Sequence, residues 1–128
     1  MSKRIVVCDD DSHIVRAVSM ELRKAGFNVE TARDGQEGWE AIGREVPDLV
    51  LTDYQMPRVD GIELCRRLRA NPATREVPVF MLTAKGLELD AEKLRQEFGV
   101  SQVIMKPFSP RDLLRIVQES LEHVGVAL

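Results

Sequence analysis

Five short runs rich in Val, Ile and Leu recur along the chain, and a segment with a different spacing of apolar residues follows each run. These segments place apolar residues three or four positions apart, as at Ile14, Val18 and Leu22, which is typical of amphipathic helices. The pattern therefore predicts five strands that alternate with five helices. The predicted strands are residues 4–8 (RIVVC), 28–32 (NVETA), 48–52 (DLVLT), 77–82 (VPVFML) and 102–105 (QVIM).

Three of these runs, the first, third and fourth, are nearly continuous apolar stretches, which is typical of parallel strands covered on both faces. Regular alternation of strand and helix then favours an α/β fold with a doubly wound parallel sheet and helices on both faces. A chain of 128 residues can bury about two-thirds of its unfolded surface around one core. It has no internal repeat and no linker-like stretch. We therefore expect one domain over residues 1–128.

Helix boundary signals agree with this pattern. Gly26 stands where a glycine would end the first helix, and Ser109 followed by Pro110 is typical of a helix start. Asp11 or Ser12 is expected to cap the first helix, because both side chains accept hydrogen bonds from free backbone N–H groups.

Polar residues stand at the ends of four predicted strands. In an open parallel sheet, ligands bind beyond the carboxyl ends of the strands, so these residues should meet at one edge. They are Asp9, Asp10 and Asp11 after the first strand, Thr52 and Asp53 at the third, Thr83 at the fourth and Lys106 after the fifth.

This combination of side chains has a chemical logic. Several carboxylates without nitrogen or sulfur ligands suit Mg²⁺, which prefers oxygen ligands and leaves positions open to water and phosphate. A nearby lysine and a threonine hydroxyl can bind the phosphoryl oxygens. One carboxylate could itself act as the nucleophile and form an aspartyl phosphate. The strand ends therefore indicate phosphoryl-transfer chemistry.

Four motifs then resemble those of response-regulator receiver domains of two-component signalling, in particular the stand-alone chemotaxis regulators. The motifs are VVCDDD, LVLTDYQMPRVDG, MLTAKG and VIMKPF, and they occur in the family's order across essentially the whole chain. The resemblance implies a flavodoxin-like fold with strand order 2-1-3-4-5. It also implies a phosphorylation-activated signalling switch rather than an enzyme with turnover.

The resemblance assigns a role to each matching residue. Asp53 would accept a phosphoryl group from a histidine kinase or a histidine phosphotransfer protein, and Lys106 and Thr83 would bind the phosphoryl oxygens. Asp9 and Asp10 would hold Mg²⁺ together with Asp53. The remaining implications are a backbone carbonyl ligand from Gln55, a cis peptide bond between Lys106 and Pro107, and a downstream protein target on the face of the fourth helix, fifth strand and fifth helix.

The chain departs from the family at Val103. Receiver domains usually carry Tyr or Phe three residues before the lysine, and that ring turns inward when the threonine moves. A valine cannot make this large rotation, so the ring movement that usually carries the signal to the surface is not expected here. Gln55 and Lys85, two residues beyond Asp53 and Thr83, occupy positions that in the family adjust the access of water to the acyl phosphate.

Charge and cysteine content narrow the expected partners. Eighteen Lys and Arg against twenty-one Asp and Glu give a net charge of −3, which argues against nucleic acid or an anionic membrane surface as a partner. Cys8 and Cys65 are expected to be reduced core residues of a cytoplasmic protein. The chain shows no signal peptide and no run of about 20 apolar residues. We expect a monomer or a weak dimer.

Two other functions compete with the switch. Asp9-x-Asp11-Ser12 resembles the opening motif of haloacid-dehalogenase-type phosphatases, in which the first acid is the nucleophile. The chain is short for that family and shows no late acidic pair after the lysine. The other alternative is a constitutive protein-binding module that keeps the site without using it, and Val103 is its main support.

Overall fold

The computed structural model describes residues 2–84 and 90–125 of the chain, with side chains described as far as Leu121. Lys85 and Leu87, which the sequence places in the family motif and at the start of the fourth helical pattern, lie outside the described residues. The strands are β1 (Arg4–Cys8), β2 (Asn28–Ala32), β3 (Leu49–Asp53), β4 (Val79–Thr83) and β5 (Val100–Met105). The helices are α1 (Ser12–Lys24), α2 (Gly35–Arg44), α3 (Gly61–Ala70), α4 (Ala91–Phe98) and α5 (Pro110–Gly125).

The five strands form one parallel sheet in the order β2-β1-β3-β4-β5. Residue Cys8 of β1 pairs with Ala32 of β2 and with Thr52 of β3, so the carboxyl ends of these strands lie side by side. Asp53 pairs with Leu82, one residue before the end of β4. The predicted doubly wound, flavodoxin-like fold with strand order 2-1-3-4-5 is confirmed.

The sheet separates two apolar layers, and successive residues of β1 enter them alternately. Ile5 and Val7 belong to the layer that also contains buried residues of α1 and α5. Val6 and Cys8 belong to the layer that contains buried residues of α2, α3 and α4. This arrangement explains why β1, β3 and β4 are apolar throughout: both of their faces are covered.

Four helices begin after an aspartate whose side chain accepts a hydrogen bond from a backbone N–H of the first turn. For α1 this cap is Asp11, which decides between the two candidates, Asp11 and Ser12. The N–H of Asp112 lies 3.4 Å from the Ser109 hydroxyl at the start of α5. Gly26 has a positive φ of 99° just after α1, as its position predicts. The other three caps are Asp34 for α2, Asp60 for α3 and Asp90 for α4.

The second helix is shorter than the apolar spacing predicts. In the sequence, the apolar residues Trp39, Ile42 and Val46 stand three or four positions apart, which predicts a helix as far as Val46. The helix α2 ends at Arg44, and Val46 is 45% exposed. Pro47 follows directly and disfavours helical backbone at Val46, which accounts for the difference. Ile42 is fully buried, and the partly buried Trp39 packs against the same apolar layer.

Candidate functional site

Three carboxylates meet at the carboxyl edge of the sheet. Each of Asp9, Asp10 and Asp53 offers one oxygen atom that lies within 4.8 Å of those of the other two. Asp9 is fully buried, Asp53 retains 7% exposure, and Asp10 is exposed. The positions follow from the sheet, because β1 and β3 are neighbours and both end at this edge.

Lys106 closes the cluster from the far side of β4. Its ammonium Nζ lies 2.9 Å from Asp9 Oδ2 and 3.3 Å from Asp53 Oδ2. The Lys106 backbone N–H donates to the Thr83 carbonyl at 2.7 Å, which fixes the lysine beside the end of β4. Burial favours the neutral amine, but the short contacts with Asp9 and Asp53 and the negative charges of these carboxylates outweigh it and raise the pKa of Lys106. The Lys106–Pro107 peptide bond is cis, as the family resemblance implies.

Asp53 holds its proton unusually strongly for a carboxylic acid. Burial, followed by repulsion from Asp9, raises its pKa from 3.8 to about 6, against the opposing effect of Lys106.

The two oxygens of Asp9 have different surroundings. Oδ1 accepts a hydrogen bond from the Asp11 N–H at 2.9 Å, and Oδ2 has only the Lys106 contact among the described residues. That contact is an ion pair in close approach rather than an aligned hydrogen bond.

Thr83, the last residue of β4, brings a hydroxyl to the same edge. The residue is 2% exposed, and its Oγ1 finds no hydrogen-bond partner among the described residues. A buried hydroxyl without a partner costs free energy, so it is available to bond a group that enters the site. An anionic oxygen beside Lys106 would provide such a partner.

Gln55 lies in the segment that connects β3 to α3 and is exposed. Hydrogen bonds at its two ends hold this segment: Tyr54 N–H donates to Leu82 O at 2.8 Å, and Gly61 N–H donates to Tyr54 O at 3.0 Å. A Cβ at Gly61 would lie 2.5 Å from the Asp53 carbonyl, so only glycine allows α3 to begin this close to the acid. Gln55 therefore lies in a held segment, two residues beyond the end of β3.

The donor set suits a hard divalent cation. Every candidate ligand at this edge is an oxygen atom, three of them from carboxylates, and the cluster has no histidine or cysteine ligand within the described residues. Mg²⁺ prefers such oxygen ligands and keeps other positions for water and phosphate. The residues therefore fit the metal that receiver domains use.

Two residues that the sequence does not single out join the segment after β3 to the segment after β2. Arg58, in the segment after β3, forms an ion pair with Asp34, the N-cap of α2, through two hydrogen bonds of 3.0 and 3.1 Å. Their spacing of 24 residues carries no recognisable signal in a single sequence.

His13, Cys8 and Cys65 do not belong to the carboxylate cluster. The His13 side chain is 96% exposed and lies 3.8 Å from Asp11 Oδ1, the cap of α1. Burial raises the pKa of Cys8 and of Cys65 to about 12, so both thiols remain protonated and unreactive. Among the described residues, no helix has both the length and the apolar character needed to cross a membrane.

Comparison with known proteins agrees with the geometry. Residues 5–118 match the family described as "Response regulator receiver domain". The chain is 39% identical over 127 residues to the alkaline phosphatase synthesis transcriptional regulatory protein PhoP of Bacillus subtilis (strain 168). This alignment covers 99% of the chain but 52% of PhoP, so the chain spans about half the length of that relative.

Solved structures show the same fold. A CheY-like response regulator receiver domain protein from Methanospirillum hungatei JF-1 superposes with a TM-score of 0.85 at 31% identity, with 96% of each chain covered. The chemotaxis protein CheY4 of Vibrio cholerae gives a TM-score of 0.84 at 28% identity, covering 93% of this chain and 98% of CheY4. The sheet order, the acidic edge and the match over residues 5–118 together show that the chain belongs to the response regulator receiver domains of two-component signalling.

Proposed function

We propose that residues 1–128 form one phosphorylation-activated switch whose phosphoacceptor is Asp53. The observation that carries this proposal is the position of the Asp53 carboxylate, which lies beside Asp9, Asp10 and the Lys106 ammonium at the end of β3. Membership of the receiver domain family implies that a kinase is a partner of this chain. The phosphoryl donor is therefore a phosphohistidine on a histidine kinase or on a histidine phosphotransfer protein.

Asp9, Asp10 and Asp53 would hold Mg²⁺, and the backbone carbonyl of Gln55 would be a further ligand. The metal supplies positive charge that neutralises a phosphoryl group approaching three carboxylates. Asp9 also accepts the Asp11 N–H, so its carboxylate is held in place before any ligand arrives. Asp10 is exposed and free to adjust to the metal.

The transfer conserves atoms and charge. A carboxylate oxygen of Asp53 attacks phosphorus, and the P–N bond to the donor imidazole breaks. The electron pair of that bond returns to the imidazole nitrogen, which takes a proton from solvent. Lys106, which already lies 3.3 Å from Asp53 Oδ2, would bind a phosphoryl oxygen of the resulting acyl phosphate, and the Thr83 hydroxyl would bond another.

The output of the switch is proposed to be a change in affinity for a protein partner on the face formed by α4, β5 and α5. Thr83 couples the site to this face, because it ends β4 and pairs with Met105 of β5. Val103 is partly buried and packs against the apolar layer under α4. It therefore offers packing contacts to this face rather than the rotation of an aromatic ring.

The phosphatase alternative requires Asp9 as the nucleophile. Asp9 is fully buried, one of its oxygens accepts the Asp11 N–H, and the other contacts Lys106. Both oxygens are thus engaged, whereas Asp53 keeps some exposure to solvent. The geometry favours Asp53.

The test is the intact mass of the protein after incubation with a small acyl-phosphate donor, with and without Mg²⁺. We expect one Mg²⁺-dependent phosphoryl adduct on the parent and none on Asp53→Asn, while Asp9→Asn shows reduced labelling. An adduct retained by Asp53→Asn and lost by Asp9→Asn would support the phosphatase alternative instead. If the folded parent binds Mg²⁺ but accepts no phosphoryl group from either this donor or a phosphohistidine donor, the switch is excluded.

A further inference from the structure

The segment of residues 54–60 between β3 and α3, called here the β3–α3 loop, is tied to the start of α2 by one ion pair. Arg58 Nε donates to Asp34 Oδ2 at 3.0 Å, and Arg58 Nη2 donates to Asp34 Oδ1 at 3.1 Å. Two parallel hydrogen bonds of this kind fix direction as well as distance. Gln55, the proposed backbone ligand of the metal, lies three residues before the arginine.

The backbone at Arg58 argues that its side chain is needed. Arg58 has a φ of 65°, in the left-handed region that favours glycine. It is the central residue of a three-residue turn, in which the Val59 N–H donates to the Pro57 carbonyl at 2.8 Å. The positive-φ form of this turn is rare and strained for a residue with a Cβ. The two hydrogen bonds to Asp34 are contacts that help to offset this strain.

Asp34 is well suited to anchor the loop. Its side chain is 13% exposed, and Oδ1 also accepts the N–H of Glu37 at 2.9 Å as the cap of α2. Burial raises the pKa of Asp34, but the hydrogen bonds from Glu37 and Arg58 outweigh this effect and lower it. The backbone of the loop is also close to this helix, because a Cβ at Gly35 would lie 2.0 Å from the Val59 carbonyl.

We infer that Arg58 is a positioning residue for Mg²⁺, acting through Asp34. The ion pair holds the β3–α3 loop against the rigid start of α2, and the loop in turn keeps the Gln55 carbonyl at the acidic edge. This inference rests on the proposed function, since it assigns a support to the metal site of the switch. Groups that orient metal ligands commonly contribute to affinity although they do not touch the ion.

Charge alone predicts the opposite change in Mg²⁺ affinity when Arg58 is removed, which makes the inference testable. Arg58 carries a positive charge and belongs to the loop that follows Asp53, and its removal would by charge alone strengthen the binding of a cation. If Arg58 positions the loop, its removal weakens Mg²⁺ binding instead. The direction of the change therefore separates the two roles.

The experiment titrates the metal-free protein with MgCl₂ and measures the dissociation constant by calorimetry. Arg58→Asn and Arg58→Gly remove the ion pair with residues that accept a positive φ. Asp34→Asn removes the anionic partner but keeps an N-cap oxygen. Arg44→Asn is the matched control, because it removes a charge from the exposed Arg44–Glu30 pair at the other end of α2.

We expect each Arg58 variant to raise the Mg²⁺ dissociation constant by about tenfold. Arg44→Asn should change it by less than about twofold. The double variant Arg58→Asn with Asp34→Asn should bind no more weakly than the weaker single variant, since both remove one interaction. Amide hydrogen exchange within residues 54–60 of the metal-free Arg58 variants should be faster than in the parent.

An Arg58 variant that binds Mg²⁺ as tightly as the parent, or more tightly, would overturn the inference. Loss of thermal stability without a change in the Mg²⁺ dissociation constant would show that the Arg58–Asp34 pair only stabilises the fold. This result would also overturn the inference. Failure of the proposed function looks different, because the parent itself then binds no Mg²⁺ or accepts no phosphoryl group.

Discussion

The Lys106 ammonium lies 3.3 Å from Asp53 Oδ2, yet the pKa of Asp53 is raised to about 6. A neighbouring cation alone would lower it. Burial and the charge of Asp9 outweigh the lysine, so the cluster has more negative charge than Lys106 neutralises. An acidic edge of this kind is expected to destabilise the folded chain in the absence of a bound cation.

This imbalance predicts that Asp53→Asn stabilises the metal-free protein at alkaline pH. The unfolded carboxyl ionises near pH 4, whereas the folded one keeps its proton until about pH 6. The stability of the parent therefore falls as pH rises through this window, and the full deficit remains above it. At pH 8 we expect Asp53→Asn to unfold with a free energy higher by roughly 1–3 kcal/mol. Urea unfolding in EDTA measures this difference.

The gain should shrink as the pH falls from about 6 toward 4 and disappear below about pH 3, where Asp53 is protonated in both states. Excess Mg²⁺ should stabilise the parent and have little effect on the variant. If Asp53→Asn is less stable than the parent at pH 8, Asp53 is held by contacts that favour its charge, and the imbalance inferred here is absent.

Two adjacent acids are expected to respond in opposite ways. Asp10→Ala should weaken Mg²⁺ binding by at least about tenfold, while the stability of the metal-free chain changes by less than about 0.5 kcal/mol, because Asp10 is exposed. Asp11→Ala should leave Mg²⁺ binding nearly unchanged and cost about 1 kcal/mol of stability, since it removes the cap of α1. Calorimetric titration and thermal unfolding of both variants check this pair. A large loss of stability in Asp10→Ala would mean that this acid is structural.

The residues at the strand ends show how much of the candidate site can be predicted from a single sequence. A parallel sheet brings the carboxyl ends of its strands to one edge, so the sequence alone predicts which polar residues meet there. These residues are Asp9, Asp10, Asp53, Thr83 and Lys106. Local periodicity was sufficient for the five strands and five helices, since the apolar runs and the helical spacing are regular.

Contacts that depend on unusual backbone could not be predicted in this way. The Arg58–Asp34 pair joins residues 24 apart, and Arg58 has a left-handed backbone conformation that no local pattern predicts. The same limit applies to Thr83. Its place at the edge follows from the sheet, but whether its hydroxyl finds a partner among the described residues depends on the packing around it. Such details arise from tertiary structure.

Thr83→Val is expected to leave the metal-free protein as stable as the parent, or more stable by up to about 1 kcal/mol. The change removes a buried hydroxyl that has no described partner and keeps the shape of the side chain. Thr74→Val is the matched control. Thr74 is 3% exposed, but its hydroxyl donates to the Leu68 carbonyl at 2.7 Å, so this change should cost about 1–2 kcal/mol.

The same variant tests coupling to the output face. In the parent, a phosphoryl mimic such as beryllofluoride should shift the amide resonances of β5 and α4, and in Thr83→Val these shifts should be much smaller. A parent that binds the mimic without shifts on this face would favour the constitutive binding module, to which Val103 already points. Shifts of equal size in the parent and the variant would remove Thr83 from the coupling.

Two glycines of α2 provide a last contrast. A Cβ at Gly35 would lie 2.0 Å from the Val59 carbonyl, and a backbone atom cannot yield as a flexible side chain does, so Gly35→Ala must displace the β3–α3 loop or the start of α2. A Cβ at Gly43 would meet nothing within 4 Å. We expect Gly35→Ala to lower stability by about 1–3 kcal/mol and Gly43→Ala to raise it by about 0.5–1 kcal/mol. Thermal unfolding in EDTA compares the two, and equal stabilities would show that the loop is not held against Gly35.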